Sequence, residues 1–300
     1  MRFLRSLRAG LPGGTEPRRH GSLTIALSFG GVAFLILQLV IGAQANLFPV
    51  PGRDELIWDR VGDAVWTGAP VYYNAPRLTD SFVYAPPVAV AFAFVSWLPL
   101  IAQHGLFTVL KVVSLRVIAG SWVGAGIACW FPLVAFDLGG GNFNLLVAAA
   151  IVAAVGGRPQ AAVLTSLAKF SPLLAIHPRD WRPALAALSV ALVITLPWLH
   201  LWPEWFNLLT LDIGRAGELG PQVPFPWWLR LVEAAALLWF VRTTWARALA
   251  ATVAIPAFYW ASFVVLLAPI AIFVRGRLAN RSTPDPTPPG LVPGFEAGRP

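Results

Sequence analysis

From Leu23 to Ile41 the chain carries no charged residue. An apolar run of this length exceeds the roughly 7–15 residues of a signal-peptide core and is long enough to cross a bilayer. Inside hydrocarbon each backbone amide must find its partner within the protein, so a run of this kind commits the chain to helix. Ala43-Gln44-Ala45 imitates a cleavage site, but the length of the run favours a retained anchor. The rest of the sequence agrees: 57% of residues are hydrophobic and 12% charged, against about 25% charged in a soluble domain. The formal net charge of +8 does not point to nucleic acid. Basic residues collect at the ends of apolar runs, where the positive-inside rule puts them. Cys129 is the single cysteine and cannot form an intrachain disulfide.

Charge also orients the chain. The leader, residues 1–22, has a net charge of +4, and the loop 46–82 a net charge of −2. The leader is expected in the cytoplasm and the loop outside. A multi-pass membrane protein is expected, with both termini cytoplasmic. Its membrane domain spans 23–274, with external loops at 46–82 and 202–226. The fold expected is an all-α polytopic bundle of about eight to ten transmembrane or half-membrane helices. Residues 275–300 form a cytoplasmic tail, whose Pro- and Gly-rich part reads as disordered.

Within the first loop, Ile57, Val61, Ala64 and Val65 fall on one helical face, which predicts a short amphipathic helix in the interface. Gly68 and Pro70 end it. Phe82 to Ile101 reads as the second span. Lys111 and Arg116 interrupt the next apolar stretch. The positive-inside rule favours a cytoplasmic connector over 102–116 and a span from Val117 to Phe136, rather than cations held inside a span. Asp137 to Gly141 is then an outer turn. Ala161–Ala168 and Pro172–Ile176, separated by Lys169, are each too short to cross a core about 30 Å thick. They read as a hairpin entering from the cytoplasmic side, which implies a cavity. Pro183–Leu201 and Trp227–Val241 are further spans, and Ala248–Phe273 is a broken one divided at Pro256.

Four motifs carry a resemblance. They are Asp54 followed by Gly68-Ala69-Pro70-Val71-Tyr72; Phe82-Val83-Tyr84-Ala85-Pro86-Pro87; Gly141-Asn142-Phe143-Asn144; and Leu167-Ala168-Lys169-Phe170-Ser171-Pro172. In order and in membrane placement they resemble glycosyltransferase family 87. This family has the GT-C architecture and includes actinobacterial mannosyltransferases that use polyprenyl-phosphate mannose. A late-span Ser-Pro-x-x-Trp-x-His motif of that family is kept here only as Ile255-Pro256-Ala257-Phe258-Tyr259-Trp260-Ala261, without the His.

The resemblance implies an enzyme that moves a hexosyl unit, mannosyl before arabinosyl, from a polyprenyl-phosphate sugar to a lipid-linked or glycan acceptor on the external face. Asp54 would be the general base, although Gly52-Arg53-Asp54 before a helix also suits an N-cap. Lys169 at the hairpin apex, or Arg215 in the second external loop, would hold the donor phosphate; snorkelling or a rim charge are the plainer readings. Asn142, Asn144 and Tyr84 would bind sugar or acceptor, or else serve as caps and interface packing. Asp59 and Asp63 read as a solvated face, and Arg230 as a cation snorkelling beside Trp227 and Trp228. The four histidines show no metal-ligand spacing, and neither a cofactor nor a metal is expected. The lost histidine leaves a second reading open: a lipid or small-molecule transporter, or an inactive relative assisting a complex.

Overall fold

The computed structural model describes residues 21–47, 52–73, 81–215, 226–255 and 260–281. The described residues are helical, with no strand among them. Helix α1 (Ser22–Gln44) is followed by α2 (Arg53–Thr67), α3 (Pro86–Ala93), α4 (Leu100–Ala119), α5 (Trp122–Ala128) and α6 (Pro132–Gly140). Then come α7 (Asn144–Val155), α8 (Pro159–Ser166), α9 (Trp181–Ile194), α10 (Leu201–Arg215), α11 (Trp227–Ala236), α12 (Thr244–Val253) and α13 (Leu267–Arg281). Three helical stretches are long and apolar enough to cross a membrane: α1, α4 and Ala261–Leu278. The α5–α6 pair, bent by 95°, adds a fourth if it counts as one span. The other helices are too short to cross alone at 1.5 Å per residue.

The first span behaves as its sequence requires. Its apolar side chains are mostly exposed, as a lipid-facing helix demands. Its contact with the bundle runs through small residues: a Cβ at Gly31 would lie 2.1 Å from the carbonyl oxygen of Gly126 on α5. Small residues of this kind let helix backbones approach closely where lipid supplies no hydrophobic drive. The Trp130 indole donates to the Leu27 carbonyl at 2.8 Å and its ring stacks on Phe34, closing the contact.

The amphipathic helix is α2. It buries Val61, Ala64 and Val65 and ends at Gly68 in the left-handed region, φ 71°. Its core residue is Trp58, packed against Phe92 of α3, Phe107 of α4 and Phe143 before α7.

Several boundaries depart from the sequence expectation. The span over 82–101 is only the short helix α3, which starts at Pro86-Pro87 where proline is tolerated in a first turn. The connector over 102–116 is instead the body of α4, and Lys111 lies fully buried within it. The positive-inside argument failed there because Lys111 has protein carbonyls to bond: its ammonium donates to Asp137 O at 3.1 Å and Leu138 O at 3.5 Å. The span over 117–136 is broken into α5 and α6, with Pro132 opening the second piece. The expected outer turn at 137–141 is helical up to Gly140. The hairpin is present as α8 and a 3-10 turn over Ser171–Ala175, with Lys169 between them. The second external loop opens as α10, while 216–225 lie outside the described residues, as do the leader 1–20 and the tail beyond 281. The break at Pro256 also falls outside them. The last helix runs to Arg281, beyond the expected boundary at 274. Arg230 turns inward rather than outward, donating at 2.6 Å to the carbonyl of Ile255, just past the end of α12.

One end of the bundle is basic. Arg275 of α13 donates to the carbonyls of Val117 and Ile118 at the end of α4, near Arg116. The opposite end holds the start of α2, the α6–α7 turn and Lys169.

Candidate functional site

The site begins at the first turn of α2. Its N-cap is Gly52 rather than Asp54, so the capping reading of Asp54 is not the one realised. Glu55, three residues on, reaches back to accept from the Gly52 amide at 2.9 Å and so supplies the missing cap. Gly52 is buried against Gly140 and Gly141, and a Cβ there would lie 3.0 Å from Gly140 C. Gly141 closes α6 in the left-handed region, φ 81°, which only glycine takes at no steric cost. This double-glycine contact sets Asp54 and Glu55 on top of the α6–α7 turn. A Cβ at Gly141 would stand 3.4 Å from Asp54 Cβ and 3.3 Å from Glu55 Cγ.

Beneath them lies a polar network. Asp137, fully buried in α6, accepts from the Leu145 amide at 3.1 Å and so satisfies the start of α7. Its carboxylate also interacts with the side chain of Asn144, the first residue of α7. Asn144 Oδ1 accepts from the Lys169 ammonium at 2.5 Å. Asn144 is therefore not a cap, since the N-cap of α7 is Phe143; it ties the hairpin apex to the turn below Asp54. Asp54 and Asp137 both act electrostatically on Lys169. Lys169 lies in the turn after α8, outside the spanning helices. Burial lowers its ammonium to about 8, with Asp137 and Asp54 pulling the other way.

Asp54, Asn142, Asn144 and Lys169 thus share one neighbourhood. Asp54 and Lys169 are half-buried, Asn142 is buried and Asn144 fully so. Tyr84 stands at its flank, its ring 5.5 Å from that of Phe143 and its carbonyl accepting from Tyr72 Oη at 2.8 Å. Arg215 ends α10, and its side chain lies outside the described residues. Asp59 does not stand on a purely solvated face, because Gln103 donates to it at 2.5 Å.

Sequence reasoning missed Glu55, His104, Lys111 and Asp137. Lys111 feels Asp137, Glu55 and Asp54, which places it in the same charged group. His104, also on α4, has Nδ1 at 2.7 Å from Glu55 Oε2. Their signal was the spacing of His104 and Lys111, two turns apart on one helical face. Among the described residues, no group of three or more His, Cys, Asp or Glu is placed to hold a metal.

An apolar groove of about 500 Å³ runs beside this group, between α3, α4, α7, α8 and α9. Val90, Phe94, Leu110, Phe143, Leu164 and Ala168 are among its walls. Phe143 lies between Asn142 and Asn144 in sequence, and Ala168 precedes Lys169, so the groove reaches the edge of the polar network.

No family model matches the chain, and neither a curated protein nor a solved structure is similar to it.

Proposed function

We propose that this protein is a membrane glycosyltransferase that moves a hexosyl unit, mannosyl for preference, from a polyprenyl-phosphate sugar to a lipid-linked or glycan acceptor. The observation that carries this reading is the meeting of a carboxylate, Asp54, and an ammonium, Lys169, at the edge of an apolar groove. A lipid phosphate has the same two-part character, an oily chain and an anionic head. The chain would lie in the groove, with its phosphate at Lys169. Asp54 would take the proton of the acceptor hydroxyl as that oxygen attacks the anomeric carbon. The carbon–oxygen bond to phosphate breaks, and its electron pair leaves with the polyprenyl phosphate. Inversion at the anomeric carbon follows from a single displacement. Asn142, Asn144 and Tyr84 stand where they can contact the sugar or acceptor. The charge asymmetry of leader and first loop supports an external site in the plasma membrane, with both termini cytoplasmic.

The test is incubation of the protein in membranes with radiolabelled polyprenyl-phosphate mannose or arabinose, reading the labelled product. Asp54→Asn is expected to lower transfer by about 10²–10⁴-fold, the usual weight of a positioned base, while insertion and folding are kept. Undiminished transfer by that variant removes the mechanism. One observation favours a transporter or a non-enzymatic assistant instead: Lys111 is an ionisable residue buried within a candidate span, a common mark of a transport pathway. Absence of transfer from either donor decides for that reading.

A further inference from the structure

Glu55 is the most deeply buried acid of the first turn, 1% exposed, and yet it is bonded on one side only. Its Oε2 accepts from the Gly52 amide and meets His104 Nδ1, while Oε1 has no hydrogen-bond partner among the described residues. A carboxylate that engages Nδ1 fixes the imidazole tautomer, because Nδ1 must then carry the hydrogen and Nε2 keeps its lone pair. His104 is 20% exposed, so it bridges the buried acid and the surface. Among the described residues, Nδ1 is the ring atom with a bonding partner, and that partner is Glu55. This is the arrangement of an oriented proton acceptor: a half-exposed imidazole held from behind by a buried carboxylate. Asp54, Glu55 and Asp137 all act electrostatically on Lys111, two turns along the same helix from His104, and Asp59 on α2 accepts from Gln103, the residue before it.

We propose that His104, oriented by Glu55, is a second proton-transfer group of this site. The inference rests on the transferase reading above. The acceptor proton passes first to the Asp54 carboxylate. From there it passes to Nε2 of neutral His104, leaving Asp54 ionised for the next turnover and His104 as imidazolium paired with Glu55. Imidazolium then gives the proton to water. No oxidant, metal or nucleotide enters the balance.

The experiment is a pH–rate profile of kcat and kcat/KM with polyprenyl-phosphate mannose for the whole protein and for His104→Gln, His104→Ala and Glu55→Gln. His104→Gln is expected to lower kcat by about 10²-fold, to leave the donor KM unchanged and to change the shape of the profile. Added imidazole is expected to restore part of the rate of His104→Ala, which a purely structural histidine would not allow. A His104→Gln protein with wild-type kcat and profile overturns the proposal, and so does loss of rate in His104→Ala that imidazole does not restore. Histidine nitrogen NMR of the protein in detergent separates this failure from failure of the transferase reading. Wild-type His104 should carry its hydrogen on Nδ1, and Glu55→Gln should abolish that preference. An Nε2–H tautomer in the wild type overturns the dyad whatever the enzymology shows.

Discussion

Lys169 sits where two demands on a lysine conflict: burial favours the neutral amine and neighbouring carboxylates favour the ammonium. Burial prevails, and the ammonium is lowered from its ordinary value of 10.5 to about 8. The sign for function follows. On the proposed reading, the phosphate-holding cation is present below about pH 8 and lost as pH rises through it, well before an ordinary lysine would neutralise. The donor KM is therefore expected to rise above pH 8 in steady-state transfer assays. Lys169→Arg should flatten that rise by keeping the charge, and Lys169→Gln should raise KM across the whole range. Asp54, Asn142, Asn144 and Lys169 were singled out in the sequence by the motifs that carry the resemblance and by their places beside breaks in apolar runs. Glu55 and His104 were not, because their partnership joins positions 49 apart on different helices. Lys111 was misread because a general bias of loop charges was applied to a residue with local carbonyls to bond.

At the scale of the element, the amphipathic helix and the hairpin were legible, since both depend on local periodicity and on stretches too short to span. The helix limits were less so. Two prolines at the start of α3 and one at the start of α6 permit helix to begin there, but nothing local says that α3 stops after two turns or that α5 and α6 meet at 95°. Those features come from packing. The α1–α5 contact is the clearest case, and its glycines do not stand out in a small-residue-rich sequence. Gly31→Leu is expected to push the helices apart and to lower the thermal midpoint in detergent, with a cost of about 1–3 kcal/mol or more as an overpacked contact. Gly21→Ala at the helix start, where a Cβ meets nothing within 4 Å, serves as the control and should leave the midpoint unchanged.

Considered as a whole, the chain is a helical bundle with a basic end and an end that gathers buried acids and lysines. Composition made the class legible, and the distribution of arginines made a polarity legible. The sequence did not show that Asp54, Glu55, His104, Lys111, Asp137 and Lys169 converge, since they come from four separate stretches of chain. The polarity predicts which side each end faces. With Cys129 replaced by Ala, Asp63→Cys should react with a membrane-impermeant maleimide on intact cells. Gly276→Cys should react only after permeabilisation. Both positions are exposed in the fold, so labelling of the reverse pattern would invert the orientation.

The apolar groove is walled by α3, α4, α7, α8 and α9, and its walls include Ala168, the residue before Lys169. On the proposed reading, the donor's polyprenyl chain seats there without leaving the bilayer. It arrives by lateral diffusion within one leaflet and departs the same way. The quantity that governs occupancy is then the mole fraction of that lipid among its neighbours, and diluting the vesicles in buffer should leave turnover untouched while diluting them with inert phospholipid should slow it.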